Sequence, residues 1–292
     1  MASIQGILSG FLSKRKEQKY VNQLKLAVSK SNLYSNLYED KVCFSHIGLL
    51  GDIIYSVPAM LALANGKNID LCLDVTRQSM YPDSYKHYNK NKILTEKSIE
   101  FIKPLLLSNK AITNCLKLED QRIDYDLNEF RNYPFDYRMG NICRWYFLTF
   151  GVTYDLTKPW LFAQPNVQYR DEIIIARSFR YRAPEISYTF MQQYKNVSFI
   201  GLDDEYADMK KAIPSLKRIT VTNALEMAQA ITGCKFFIGN QSFPFAVAEA
   251  IKAKRVLEVC PQCPNVIVDG PDGYDFCYQP QFEKIIQHLA EN

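Results

Sequence analysis

The sequence has no run of about 18 apolar residues, the length that a transmembrane helix needs, so we expect no membrane-spanning segment. The N-terminus contains apolar residues but lacks the cleavage signal of a secreted protein. The sequence also lacks a large excess of either charge. Its 292 residues carry a net charge of +4, which permits an anionic partner without requiring one. With 47% hydrophobic and 23% charged residues, the composition is that of a soluble globular protein.

Patterns of metal ligands are missing as well. The sequence contains three histidines, and its one CxxC motif, Cys260-Pro261-Gln262-Cys263, has neither a second pair nor a neighbouring histidine. Structural zinc needs four ligands, and this motif supplies two. The sequence around the motif also lacks the pattern of a thioredoxin-like protein, so we predict no metal site and no redox site. The eight cysteines are scattered through apparent strands and helices, as buried reduced thiols are, and they indicate a cytoplasmic protein.

The length of the chain and the alternation of its predicted strands and helices indicate two domains. A chain of 292 residues is long for a single hydrophobic core. Apolar strands alternate with helices, which is typical of parallel sheets wound with helices, and Pro159 and Pro165 mark a linker. We therefore expect an N-terminal helical extension over residues 1–40, a first domain over 41–165, a second domain over 166–278 and a closing helix over 279–292.

The stretch Lys235–Pro261 predicts a strand, a sharp turn, a helix and a second strand. The apolar run Phe236–Ile238 ends at the turn, where Asn240 or Ser242 can cap a helix that begins at Pro244. A helix N-terminus that follows a strand presents free backbone N–H groups and the positive end of the helix dipole, so it can bind an anion. An ordinary strand–helix unit with a capped helix explains the same pattern.

The stretch Lys41–Leu63 has a similar layout, with a short strand, a glycine-bounded turn at Gly48–Gly51 and a helix with one buried side. Asp52 stands at the start of this helix, where it can act as an N-cap or as a proton acceptor. His46 ends the strand, where it either lines the cleft or is a hydrogen-bonded structural histidine.

Both stretches resemble signatures of the heptosyltransferase-like glycosyltransferases (ADP-heptose:lipopolysaccharide type). The C-terminal signature is G-N-D-T-G-P-x-H-x-A-A-A-L, and the positions that agree or are close are Gly239, Asn240, Ser242, Pro244, Ala248, Ala250 and Ile251. Gln241, Phe243 and Ala246 depart from it, since the signature has Asp, Gly and His there. The N-terminal signature is G-D-x-x-x-x-x-P-x-L-x-A-L, and the matching positions are Gly51, Asp52, Pro58, Ala62 and Leu63, with Met60 in place of Leu.

The resemblance implies an α/β fold of GT-B architecture, in which two Rossmann-like domains face a cleft and the closing helix crosses back to the first domain. It implies an inverting, metal-independent transfer of a sugar from a nucleoside diphosphate sugar, with Asp52 as general base and no other cofactor. The donor diphosphate is then expected at the turn and helix start of the second domain, at Gly239, Asn240, Gln241, Ser242 and Phe243.

A second group of donor-site candidates follows the predicted strand Glu172–Ala176. The loop contains Arg177, Ser178, Arg180 and Arg182 at the carboxyl end of a strand, where the ligands of parallel sheets bind. The resemblance implies a donor-phosphate loop at this point, and guanidinium groups bind a diphosphate well. The interleaved aromatic residues would also suit nucleic acid, and an exposed basic loop is the plain alternative.

Candidates for the acceptor side of the cleft are weaker, and they comprise His46, Gly51, Asp126, Arg131 and Arg182. The triplet Asp124-Tyr125-Asp126 has the form of a metal-binding DxD motif, but no clear apolar strand precedes it, so we do not assign a metal there. Asp126 and Arg131 are either acceptor contacts or surface charges. Asp203 or Glu205, which follow the strand Val197–Gly201, could reach a ribose hydroxyl or could simply cap a turn.

The acceptor itself stays open. Residues 4–19 combine an apolar helical face with Lys14, Arg15, Lys16 and Lys19, which suits a membrane-surface helix, a basic arm for nucleic acid, or a helix docked on the first domain. The acceptor is a surface saccharide or, as an alternative, a hydroxymethylated base in viral DNA. A nucleotide-sugar-binding protein without transferase activity, or an epimerase of the same fold, remains a further alternative.

Overall fold

The computed structural model describes residues 14, 16–23, 40–78, 89, 92–134 and 136–291. Residues 16–23 are helical, in agreement with the prediction of a helix in the N-terminal extension. The apolar face predicted for residues 4–12, and Arg15 within the basic group, lie outside the described residues. No helix among the described residues is both long enough and apolar enough to cross a bilayer.

The first domain is a parallel four-stranded sheet wound with helices. Its elements are β1 (Lys41–His46), α1 (Leu50–Ala64), β2 (Asn68–Leu73), α2 (Glu96–Leu106), β3 (Ile112–Lys117), β4 (Tyr125–Asp126), a 3-10 helix (Leu127–Asn132) and α3 (Ile142–Phe150). The strand order is β3-β2-β1-β4, and every pairing is parallel. The order reverses direction between β1 and β4, which makes their carboxyl ends the switch point of this sheet.

The second domain is a parallel six-stranded sheet. Its elements are β5 (Ile173–Ala176), β6 (Val197–Ile200), α4 (Asp203–Ala212), β7 (Lys217–Ile219), α5 (Ala224–Gly233), β8 (Phe236–Asn240), α6 (Phe243–Ile251), β9 (Arg255–Glu258), β10 (Gly273–Phe276) and α7 (Gln279–Glu291). The order β10-β9-β8-β5-β6-β7 is the Rossmann order, with its switch point between β5 and β8.

Side-chain caps mark the starts of three helices, at Thr95, Asn141 and Asn223. Asn223 caps α5 by accepting hydrogen bonds from the N–H groups of Leu225 and Glu226, as its side-chain chemistry predicts. The third strand of this domain ends at Ile219, which leaves residues 220–221 at the rim of the sheet.

The two domains share one hydrophobic core. Helix α1 packs against α6 and α2 packs against α5, so that the core runs without interruption from the first domain into the second. The linker residue Trp160 is buried, and its indole N–H donates to the carbonyl oxygen of Ile54 at 3.1 Å. Helix α7 buries Phe282, Ile286 and Leu289 among residues of the second domain, so the contacts that stabilise it are with that domain.

Candidate functional site

A cleft of about 390 Å³ lies where the carboxyl ends of the two sheets meet. The predicted site residues that line it are Gly51 and Asp52 from the first domain, and Arg177, Ser178, Arg180, Gln241, Ser242 and Phe243 from the second. Because ligands of open parallel sheets bind outside the carboxyl ends at the switch point, this cleft has the expected position for a binding site. The other predicted site residues do not line it, and they are His46, Asp126, Arg131, Arg182, Gly239 and Asn240.

Asp52 faces the cleft from the first turn of α1. The N-cap position of this helix is Leu49, so Asp52 does not serve as the cap. Nη2 of Arg131 lies 2.5 Å from Oδ2 of Asp52, and both side chains are partly exposed. Gly48 makes room for this pair, since a Cβ atom there would lie 3.0 Å from Oδ2 of Asp52 and 2.6 Å from the ring of His46. Asp52 is therefore an oriented, charge-paired carboxylate.

His46 is a structural histidine beneath that carboxylate. Its Nδ1 accepts from the N–H of Gly48 at 2.8 Å, so its Nε2 carries the proton and donates to the hydroxyl of Tyr146 at 2.8 Å. The hydroxyl of Tyr146 in turn donates to the carbonyl oxygen of Asp52 at 3.4 Å. Burial, followed by the positive charge of Arg131, lowers the pKa of His46 to about 3. The imidazole therefore stays neutral and shapes the turn before α1.

The DxD triplet is occupied with structural hydrogen bonds. Oδ1 of Asp126 accepts from the hydroxyl of Ser45 at 3.1 Å and from the N–H of Asn128 at 3.0 Å, which caps the 3-10 helix. Oδ2 of Asp124 accepts from the N–H of Cys43 at 2.9 Å. No group of three or more His, Cys, Asp or Glu residues that could hold a metal ion occurs within the described ranges.

Arg177 reaches the cleft wall, but most of its guanidinium group is engaged behind it. Its Nε and Nη2 each donate to the buried carboxylate of Glu258 at 2.7 Å, and the group stacks 4.8 Å over the ring of Tyr188. The same carboxylate accepts from the N–H of Ala183 at 2.7 Å and from the hydroxyl of Tyr188 at 3.0 Å. This network fixes the shape of the loop after β5.

The other two arginines of this loop differ in accessibility. Arg182 turns away from the cleft, since its Nη1 donates to Asp208 at 2.8 Å and its Nε donates to the carbonyl oxygen of Ser178 at 2.9 Å. Arg180 lines the cleft, with its guanidinium group 5.4 Å from the ring centroid of Tyr181. Arg180 is thus the arginine of this loop that is best placed to meet a ligand.

Asn240 holds the same loop to the end of β8. Its Oδ1 accepts from the N–H of Ser178 at 3.0 Å, and its Nδ2 donates to the carbonyl oxygens of Ser178 at 3.1 Å and Arg180 at 2.5 Å. Gly239, which precedes it, is buried within β8 beside the carbonyl oxygen of Ala176. These two residues of the signature therefore position the site without lining it.

Gln241 organises the CxxC segment. Its Nε2 donates to the carbonyl oxygen of Cys263 at 2.5 Å and to Oδ1 of Asn265 at 2.8 Å, and its Oε1 accepts from the N–H of Cys260 at 2.8 Å. The two cysteines are buried, and the N–H of Cys263 donates to the carbonyl oxygen of Cys260 at 3.1 Å. The CxxC segment is therefore a turn that packs beneath the cleft.

The helix start predicted as an anion site lies in the cleft wall. Ser242 occupies the N-cap position of α6, as one of the two predicted alternatives, but its side chain makes no capping bond, and the helix begins at Phe243, one residue earlier than predicted. The first-turn amides belong to Phe243 and Phe245, since Pro244 has no N–H group, and such amides lack an acceptor within the helix. The ring of Phe243 packs 5.9 Å from that of Phe101 across the domain boundary.

Sequence reasoning missed several lining residues, including Tyr55, Lys97, Arg218 and Asn265. Lys97 lies in the first turn of α2 and makes no ion pair with any described residue. Arg218 binds the β6–α4 connection, through Gly201 at 2.5 Å and Asp203 at 2.8 Å. A lone lysine on a helix carries no motif, so only the packing of α2 against the second domain reveals it.

Glu205 is the remaining acidic group of the cleft. Its Oε2 accepts from the N–H of Leu202 at 3.2 Å, and the side chain lies in the wall beside the ends of β6 and β7. Burial raises the pKa of this carboxyl above its ordinary value. Of the two acidic candidates on this connection, Glu205 lines the cleft, whereas Asp203 pairs with Arg218 at the surface.

Solved glycosyltransferase structures share this fold. A glycosyltransferase of family 9 from Veillonella parvula superposes with a TM-score of 0.52 at 14% identity, covering 86% of this chain and 92% of its own. The heptosyltransferase WaaC from E. coli, with ADP-2-deoxy-2-fluoro heptose, gives a TM-score of 0.54 at 10% identity, covering 86% and 99%. A structure of WaaC with ADP gives 0.52 at 10% identity, covering 86% and 98%.

A scan against protein-family models and a search of curated proteins found no match. At these identities the structural likeness shows the fold, and it confirms the predicted GT-B architecture of two Rossmann-like domains around a cleft.

Proposed function

We propose that this chain is a glycosyltransferase that moves a sugar from a nucleoside diphosphate sugar to a hydroxyl group of an acceptor. One observation carries the proposal. A single cleft brings the Asp52 carboxylate of the first domain opposite the cationic loop and helix start of the second domain, at Arg180 and Ser242. A proton acceptor facing a diphosphate site is the arrangement that glycosyl transfer requires.

The donor in this proposal lies against the second domain. The likeness to a protein whose solved structures carry ADP or an ADP-sugar supports a nucleoside diphosphate sugar. Its diphosphate meets Arg180 and the first-turn amides of α6, and Lys97 adds a cation from the first domain. Arg177 acts indirectly, because its guanidinium group holds Glu258 and the loop rather than the ligand.

The nucleoside in this proposal lies over the carboxyl ends of β6 and β7. Ile200, Leu202 and Val221 give that part of the wall an apolar surface suited to a base. The carboxylate of Glu205 has one oxygen bound to the N–H of Leu202, which leaves the second oxygen to accept from a ribose hydroxyl.

The reaction in this proposal is a single displacement with inversion. Asp52 takes the proton of the acceptor hydroxyl, whose oxygen forms the new bond to the anomeric carbon. The bond from that carbon to the diphosphate oxygen breaks, and the diphosphate leaves with the electron pair. Arg131 holds the Asp52 carboxylate in position through their ion pair. Arg180, Lys97 and the helix amides stabilise the negative charge on the leaving group, so the proposed transfer needs no metal ion.

For the acceptor we favour a saccharide over DNA. A DNA acceptor needs several cations that are free to neutralise phosphates. Most guanidinium groups around the cleft are already paired with carboxylates, the pairs being Arg131 with Asp52, Arg177 with Glu258, Arg182 with Asp208 and Arg218 with Asp203. Lys14, Lys16 and Lys19 are exposed on the N-terminal helix, but they lie outside the cleft lining.

The test is a mass-spectrometric screen of nucleotide sugars against saccharide acceptors and duplex DNA with hydroxymethylated bases, combined with calorimetry of nucleoside diphosphate binding. We expect a saccharide to gain the mass of one sugar, in the presence of a metal chelator as well as in its absence. Transfer to DNA, with a binding constant that falls steeply with salt, would replace the saccharide as acceptor. Binding without any transfer, or conversion of the donor sugar itself, would favour a binding protein or an epimerase.

A further inference from the structure

Residues 136–140, here named the base-side segment, lie directly beside the predicted base. The ring of Tyr137 is 5.6 Å from the guanidinium group of Arg131, which pairs with Asp52. Trp145 closes the segment from behind, since its indole N–H donates to the carbonyl oxygen of Met139 at 3.0 Å. One guanidinium group therefore separates this segment from the carboxylate.

Asn265 of the second domain holds the base-side segment. Nδ2 of Asn265 donates to the carbonyl oxygen of Tyr137 at 3.0 Å, and its own carbonyl oxygen accepts from the N–H of Ile142 at 2.9 Å. On its other side, Oδ1 of Asn265 accepts from Nε2 of Gln241 at 2.8 Å. Gln241 directly precedes the helix start at Ser242, so Asn265 joins the donor turn to the acceptor side of the cleft.

Gln241 and Asn265, the two side chains of this link, are both amides, which can donate and accept hydrogen bonds at the same time. Nε2 of Gln241 donates two hydrogen bonds, to Cys263 and Asn265, and a carboxylate at that position could donate none. This explains in physical terms why glutamine stands where the resembled signature has Asp. Asn265 must both accept and donate within one side chain, which an amide does and which neither a carboxylate nor an aliphatic group does.

We propose that Asn265 is a positioning residue that couples occupancy of the donor turn to the base-side segment, an inference that rests on the proposed function. A diphosphate bound at the start of α6 restrains the turn that carries Gln241. The buried amide of Gln241 cannot lose its partners without cost, so Asn265 and then Tyr137 follow the turn. The donor thereby orders the wall beside Asp52 before the acceptor is deprotonated.

Trp145 provides a built-in reporter for this link. The chain has two tryptophans, and the other, Trp160, is buried in the linker away from the base-side segment. Calorimetry with ADP, GDP, UDP and CDP identifies the nucleotide that binds, and fluorescence with that nucleotide reads the segment. We expect the wild type to change its tryptophan emission on binding and Trp145→Phe to lose that change. Hydrogen exchange over 136–140 should slow in the wild type.

The deciding variants alter Asn265. Asn265→Leu keeps the branched shape of the side chain and removes both of its hydrogen bonds, and Asn265→Asp keeps the bond from Gln241 but cannot donate to Tyr137. Both should bind the nucleotide while the Trp145 response is lost. Asn223→Ala is the matched control, because it removes the four side-chain hydrogen bonds of an asparagine within the second domain. This control should lower the melting temperature and keep the response.

The outcomes separate the two proposals. A full Trp145 response in Asn265→Leu or Asn265→Asp overturns the coupling role. Nucleotide binding to the wild type with neither an emission change nor slower exchange in the base-side segment also overturns the coupling role, and it leaves the glycosyltransferase proposal standing. If none of the four nucleotides binds the wild type, the donor site is wrong and the link is overturned with it.

Discussion

Asp52 is the residue on which the proposed chemistry depends. Asp52→Asn should keep the fold and nucleotide binding, but should reduce turnover by at least about 100-fold, the usual lower limit for loss of a general base. Asp126→Asn is the matched control, because Asp126 is a carboxylate of the same domain that does not line the cleft. Turnover of Asp52→Asn within a few-fold of the wild type would remove Asp52 from the mechanism.

The arginines after β5 should separate into structural and ligand-binding residues. Arg177→Ala leaves the buried Glu258 carboxylate without its cationic partner and should destabilise the protein by about 3–5 kcal/mol. Arg180→Ala and Lys97→Ala should instead weaken nucleoside diphosphate binding, by about 1.5–3 kcal/mol for a charge-assisted contact. Urea unfolding and calorimetry on the three variants measure the two quantities. Unchanged diphosphate affinity in both Arg180→Ala and Lys97→Ala would contradict the donor site.

His46 should make stability depend on pH. Its pKa is lowered to about 3 in the folded protein, so between that value and about 6.5 the unfolded chain binds the extra proton. Stability is therefore complete above pH 6.5 and is lost as the pH falls. Each pH unit is worth about 1.4 kcal/mol, so the free energy of unfolding should fall by about 2 kcal/mol between pH 7 and pH 5. His46→Gln should flatten this slope in urea unfolding, and an unchanged slope would contradict the assignment.

At the scale of one element, the turn into α1 should tolerate one glycine substitution and reject the other. A Cβ atom at Gly48 would lie 2.6 Å from the His46 ring and 3.0 Å from Oδ2 of Asp52, so Gly48→Ala should destabilise the turn. A Cβ atom at Gly51 would meet Ala246 at 3.9 Å, an ordinary contact, and alanine is favoured within a helix by roughly 0.5–1 kcal/mol. The melting temperature should therefore fall for Gly48→Ala and stay unchanged for Gly51→Ala. The reverse order would contradict the close approach of Gly48 to His46 and Asp52.

At the same scale, the sequence placed α6 and its strand from local signals, since an apolar run, a turn and a proline near a helix start are neighbours in the chain. Local signals did not predict the partners of the charged side chains around the site. Arg177 meets Glu258, which is 81 positions away, and Arg131 meets Asp52 across 79 positions. The cluster of arginines therefore marked a loop that does border the cleft, while the pairing of these arginines depended on distant strands.

At the scale of the whole molecule, the two domains should unfold together. The hydrophobic core is continuous across α1 with α6 and α2 with α5, so neither domain can lose its structure without exposing apolar surface of the other. Calorimetry should show one transition with equal calorimetric and van't Hoff enthalpies. A bound nucleoside diphosphate should raise the temperature of that transition. Two resolved transitions would contradict a shared core.

The sequence by itself determined the alternation of strands and helices, the two-domain layout and the turns that precede α1 and α6, because these depend on residues within a few positions of one another. Only the tertiary structure decided which charges face the cleft. It buried Arg177 against Glu258, turned Arg182 towards Asp208 and brought Lys97 and Asn265 to the wall. The partner of each side chain depends on how elements far apart in the sequence pack together, and a local sequence pattern contains no information about that packing.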